Sequence, residues 1–68
     1  MKFYVITSEV KNLLEDGIEA DNYEVDKNGN VNFFDYGVTP SGYDTKYNIF
    51  SVAAYAWGAV TKEKPDAV

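Results

Sequence analysis

The chain contains no cysteine, no histidine and no arginine in its 68 residues. Without cysteine there is no disulfide and no thiolate nucleophile, and without histidine there is neither a Ser-His relay nor an ordinary zinc site. Without arginine there is no bidentate clamp for phosphate. Cations are scarce: six lysines stand against eleven Asp plus Glu, giving a formal charge of -5 and a pI near 4.3. A chain so acidic has few counterions to release from DNA or RNA, so direct nucleic-acid binding is not expected. Long apolar runs are missing as well. The longest stretch without a charge, Tyr47 to Thr61, includes Asn48, Ser51 and Thr61 and falls short of the ~20 apolar residues a spanning helix needs. The run after Lys2 is too short for the core of a signal peptide. The expectation is a soluble, cytoplasmic protein.

What is abundant is grease. Hydrophobic residues make up 46% and aromatics 16% of the chain, too much for a disordered segment. A domain this small buries only about 60% of the surface its unfolded chain exposes, and no disulfide or Cys/His metal site can staple it. Either aromatics fill the core densely or a second chain completes it.

Along the chain, Phe3-Tyr4-Val5-Ile6 reads as a first strand, apolar on both alternating faces. Thr7 or Ser8 suits a helix cap, and Val10, Leu13 and Leu14 recur at helical spacing before Asp16-Gly17, predicting a short helix over Ser8 to Asp16. Asn22 to Tyr36 reads as a hairpin turning at Asn28-Gly29. A two-residue loop would mix polar and apolar side chains on each face. A three-residue loop, Lys27-Asn28-Gly29 with glycine at the bulge, sets Val25 opposite Val31 and Tyr23 opposite Phe33. Register follows the hydrophobic pattern, so the longer loop is expected, with Phe34 and Tyr36 on the otherwise polar face. Gly37 to Thr45, with Pro40 and Ser41-Gly42, reads as a loop. Ile49, Val52, Ala53, Ala56 and Val60 recur at helical spacing and predict a second helix, from Thr45 or Asn48 to about Thr61 or Lys62. The fold class expected is α+β: a small antiparallel sheet of about three strands with two helices, in the order β-α-β-β-α. It occupies one domain, residues 1–64, with a frayed tail at 65–68.

Candidate chemistry is thin. Asp26-Lys27-Asn28-Gly29-Asn30 superficially resembles a calcium loop, but its glycine stands at the fourth position and Gly37 stands where a bidentate Glu is needed. No metal or cofactor is expected. Asp35, Asp44 and Tyr43 around the loop are the candidates for a small ligand-binding or enzymatic site, but nothing in their spacing sets a pair of carboxylates for acid–base work. The acidic clustering is more informative. Glu9, Glu15, Asp16, Glu19, Asp21, Glu24 and Asp26 are opposed by Lys11 alone in that stretch. Glu24 and Asp26 on one strand face would be about 6.8 Å apart, and Glu15 and Glu19 about 6 Å apart if the helix continued. Phosphates on one DNA strand rise by about 3.4 Å each, so such a ridge roughly imitates a nucleic-acid backbone.

These observations predict a non-enzymatic protein-binding module, an acidic inhibitor or adaptor that docks on a basic surface of another protein. That surface would belong to a nucleic-acid-binding host protein if the ridge works as a DNA mimic. In size, charge and aromatic content the chain is similar to small viral or phage proteins of that kind, a likeness of general character that rests on no motif. The expected contact residues are Glu15, Asp16, Glu19, Asp21, Glu24, Asp26, Phe34 and Tyr36. The alternatives are an obligate homodimer serving as a structural or assembly part, and the small ligand-binding or enzymatic domain just named. A homodimer is also compatible with the first reading.

Overall fold

A computed structural model describes residues 1–6 and 16–63. Six strands dominate them: β1 (Lys2–Ile6), β2 (Ile18–Glu19), β3 (Asn22–Val25), β4 (Val31–Val38), β5 (Asp44–Val52) and β6 (Ala59–Thr61). They form two antiparallel three-stranded sheets, ordered β2-β1-β6 and β3-β4-β5. A single 3₁₀ turn at Ala54–Ala56 is the only helical piece among the described residues, and no helix there is long and apolar enough to cross a membrane.

The α+β expectation is therefore corrected to an all-strand architecture. The predicted second helix is β5, the 3₁₀ turn and β6. Its helical period came from the alanines at 53, 54 and 56, whereas Thr45, Tyr47, Ile49, Phe50 and Val52 are strand-forming residues crowded into one run. Gly58, which would cost a helix about 1 kcal/mol, instead donates its N–H to the Ile6 carbonyl at 2.7 Å. The predicted first helix lies outside the described residues except for Asp16, as does the tail at 65–68.

The hairpin register agrees with the hydrophobic argument. Val25 pairs with Val31 and Tyr23 with Phe33. Asp26 N–H bonds the Asn30 carbonyl at 2.9 Å, and Gly29, at φ +85°, donates to the Asp26 carbonyl at 3.0 Å. The stretch expected as a loop is a loop only in its middle, with strand at both ends. β4 runs on through Gly37 and Val38, and the turn occupies only Thr39–Tyr43, with Pro40 and Ser41 at its corner and Gly42 at φ +88°.

The two sheets share one core. Phe3, Val5, Ile18 and Ala20 meet Val31, Phe33 and Val52, with Tyr23, Ala56, Trp57 and Val60 at the margin. Phe3 stands edge-on to Tyr23 at 5.2 Å and tilted against Phe33 at 5.7 Å, spacings at which aromatic pairs add to simple area burial. The layer covering β3-β4-β5 is thus strand β1 and the segment after β5, where a helix was expected. Trp57 fastens that segment by donating its indole N–H to the Gly29 carbonyl at 2.9 Å.

Candidate functional site

Only the proximal end of the β4–β5 hairpin is covered. Val31, Phe33 and Phe34 on β4 are buried, but exposure alternates beyond Asp35, and on β5 only Val52 is buried. The rest projects, and the molecule measures 48 Å along its longest axis. The projecting arm carries exposed Tyr36, Val38, Tyr43, Tyr47 and Ile49, with Phe50 at its base. Tyr47 also braces the arm. Its ring lies so close over Gly37 that a Cβ there would come within 2.3 Å of it, and its hydroxyl donates to the Val38 carbonyl at 3.2 Å. An aromatic laid over a strand glycine restores packing that the glycine lacks.

Cross-strand partners share a face, so the register assigns the two surfaces of β3-β4-β5. The core face continues outward from Phe33 and Phe50 to Asp35 and Tyr47. The opposite face carries Asn22, Glu24, Asn32, Phe34, Tyr36, Val38, Asp44, Lys46, Asn48 and Ser51. Ile49 is the extra residue of a bulge, because Phe33 pairs with Phe50 but Phe34 with Asn48. The polar face is tied together by its side chains. Asn32 donates to Asp26 Oδ2 at 3.2 Å, Ser51 Oγ to Asn32 Oδ1 at 2.7 Å, and Asn48 Nδ2 to Ser51 Oγ at 3.2 Å. Lys46 crosses the face to reach Glu24 at 3.4 Å and lies 4.7 Å above the Phe34 ring.

The predicted contact residues separate in this frame. Phe34 is 4% exposed, stacked edge-on with Tyr36 at 5.3 Å and roofed by Lys46. It supports the face from beneath and offers no contact of its own, a correction to the expected open patch. Tyr36 is 58% exposed. Glu15 lies outside the described residues. Glu19 sits on β2, not on a continued helix, and its carboxylate binds the N-terminal ammonium at 2.9 Å. Asp16 is exposed on the turn before Gly17.

Asp21 and Asp35 bind each other's strand. Asp21 N–H donates to Asp35 Oδ1 at 2.9 Å, and Tyr36 N–H donates to Asp21 Oδ2 at 2.8 Å. Two carboxylates thereby come together with no ion pair to either among the described residues. Asp26 is folded back into its turn, where Oδ1 accepts from the N–H groups of Asn28 and Asn30 at 2.9 and 3.0 Å. Desolvation pushes its carboxyl upward, but hydrogen bonds from the Asn32 side chain and from Asn30 and Asn28 outweigh that and hold it below its ordinary value. The ridge spacing expected for Glu24 and Asp26 on an open strand is thus replaced by a turn-locked Asp26, which also accounts for the calcium-like string of residues.

Asp35, Asp44 and Tyr43 do not converge. Asp35 shares a face with Tyr47, whereas Asp44 lies on the opposite face beside Val38. Asp44 borders an open depression with Tyr36, Gly37, Thr45 and Lys46, and Tyr43 is 73% exposed in the turn. The sequence reading missed the arm itself. Its signal was Thr39-Pro40-Ser41-Gly42, a proline at the first corner of a turn and a glycine at the left-handed position. Comparison with known proteins brings no relative: no family model, no curated protein and no solved structure matches the chain.

Proposed function

We propose that this chain is a non-enzymatic protein-binding module that grips a basic surface of another protein with the polar face of its projecting arm. The observation that carries this reading is the juxtaposition on one uncovered face of exposed Tyr36 and Val38 with the carboxylates of Glu24 and Asp44. Exposed aromatic and aliphatic side chains supply contact area. The flanking carboxylates and the overall charge of -5 steer a cationic partner and suppress anionic ones. The Asn32–Ser51–Asn48 chain of hydrogen bonds supports the same reading, because a face already held by its own side chains loses little freedom on binding.

The finer reading is an inhibitor or adaptor acting in the cytoplasm, its target surface being one that otherwise holds nucleic acid. Immobilised wild-type protein should retain a partner from native lysate at low salt and shed it at high salt. A Tyr36→Ala, Val38→Ser double variant, with an unchanged circular dichroism spectrum, should retain much less. A partner held equally by the double variant, or unaffected by salt, overturns the assignment of this face. Excess duplex DNA or RNA should release the partner if the finer reading holds, and failure to compete removes mimicry while leaving protein binding in place.

A further inference from the structure

The outer edge of β5 carries a sequence that is complementary to itself. From the Thr39–Tyr43 turn to the bulge at Ile49 the strand is regular, and among the described residues it is the last strand of its sheet, paired with β4 on one side and with none of them on the other. Read from the last residue of the turn, the sequence is Tyr43-Asp44-Thr45-Lys46-Tyr47. Aligned antiparallel with another copy about a two-fold axis through Thr45, this string places Tyr43 opposite Tyr47, Asp44 opposite Lys46 and Thr45 opposite Thr45. Aromatic–aromatic, opposite-charge and Thr–Thr pairs are the cross-strand combinations that stabilise a sheet, and this register supplies all of them with no mismatch.

We infer that β5 is the seam of a homodimer, in which the edges of two copies pair antiparallel around Thr45 to make one six-stranded sheet. The occupant is a second copy because the pairing is isologous, each contact being repeated by the symmetry, and because charges match locally although the two chains repel overall. An unpaired edge of this length invites another strand unless something blunts it. The bulge at Ile49 confines the flat edge to the stretch that holds the self-complementary residues. The side chains are available: Tyr43 is 73% and Tyr47 50% exposed, Asp44 makes no hydrogen bond or ion pair among the described residues, and Lys46 makes an exposed contact with Glu24. The polar face with Tyr36 and Val38 stays open in the pair, and although Asp44 serves both that face and the seam, sedimentation of the chain alone reads the seam without the proposed partner.

The test is charge exchange read by sedimentation of the full chain. Wild type should sediment at twice the 7.6 kDa monomer mass over a wide concentration range. Asp44→Lys sets Lys46 against a lysine at both symmetry-related positions, and Lys46→Asp sets Asp44 against an aspartate. Each should raise the dimer dissociation constant by about tenfold or more. Mixing the two variants restores both opposite-charge pairs, so the mixture should return to the dimer mass. A wild type that is monomeric throughout overturns the inference, as does a wild-type dimer that Asp44→Lys leaves as tight as before. Thr45→Cys gives a readout independent of Lys46. With no other cysteine in the chain, that variant should form a covalent dimer in a glutathione redox buffer much faster than Asp44→Cys, since only the residue on the axis faces itself at disulfide range. Equal rates for the two would exclude this register.

Discussion

Asp26–Asn30 and Thr39–Tyr43 close their hairpins with the same pair of backbone hydrogen bonds, from the first residue to the fifth carbonyl and from the glycine to the first carbonyl. Both glycines are left-handed, at φ +85° and +88°. Both first residues also accept from the fifth N–H with a side-chain oxygen, Asp26 Oδ1 at 3.0 Å and Thr39 Oγ1 at 3.1 Å. The surroundings differ. The first turn is docked: Trp57 donates to Gly29, Ala54 N–H donates to Asn30 Oδ1 at 3.0 Å, and a Cβ on Gly29 would come within 3.0 Å of Ala54. The second turn ends the arm, and a Cβ on Gly42 would meet nothing within 4 Å. One turn geometry thus serves two ends. At one it locks the hairpin to the core; at the other it only reverses the chain and leaves both faces of the arm to solvent.

The largest break in this comparison should come from Phe33→Ala. Phe33 is fully buried between the sheets, while its cross-strand partner Phe50 is 39% exposed at the foot of the arm. Truncating a buried Phe costs about 3–5 kcal/mol, comparable with the whole stability of a domain this size at ~0.05–0.15 kcal/mol per residue. Urea titration should find the Phe33→Ala chain largely unfolded without denaturant and Phe50→Ala folded with a modestly lowered midpoint. Equal losses would mean that the arm is as well packed as the core. A smaller difference should separate the two turns. Gly42→Ala meets only the left-handed penalty of about 1–2 kcal/mol, while Gly29→Ala adds a clash with Ala54 and strains the Trp57 contact. The Gly29→Ala midpoint should therefore fall further, with a red-shifted Trp57 emission that Gly42→Ala does not produce.

The docked end was the legible one. Val31 and Phe33 are buried and Tyr23 is packed against them, so a slip by one residue would expose those side chains, and their cross-strand pairing carries the half-exposed Val25 into register with Val31. The arm obeys no such rule. Tyr36, Val38, Tyr47 and Ile49 are apolar and exposed, so β5 lacks a clean alternation, and the bulge at Ile49 shifts its period by one. That shift leaves Ile49, Val52, Ala53, Ala56 and Val60 at helical intervals in a segment that is partly strand. Turn chemistry was the better guide there: Thr39-Pro40-Ser41-Gly42 matches Asp26-Lys27-Asn28-Gly29 position by position in the roles that matter, an oxygen-bearing first residue and a glycine at the fourth. For the candidate site, acidic composition marked the right segment but not which oxygens stay free. Asp21 and Asp26 are held by backbone N–H groups from residues 15 and four positions further on in the chain, contacts that no count of charges contains.

The smallest effect distinguishes the first residues of the two turns by pH. Asp26 accepts its hydrogen bonds as a carboxylate, so its carboxyl is held below the ordinary value near 3.8. A carboxyl lowered in the folded state stabilises the fold fully above the unfolded value, and that contribution disappears as pH falls through the folded one. The part of the acid destabilisation due to Asp26 therefore belongs to the window below about pH 3.8. Asp26→Asn keeps an acceptor for the Asn28 and Asn30 N–H groups but removes the charge, and it cannot titrate. Its melting temperature should lie below wild type at neutral pH, and the gap should narrow as pH falls through that window. Thr39→Val removes an uncharged acceptor at the matching position of the other turn, so its deficit should be the same at both ends of the window. Parallel melting curves for wild type and Asp26→Asn across it would show that the turn needs an oxygen at Asp26 and gains nothing from its charge.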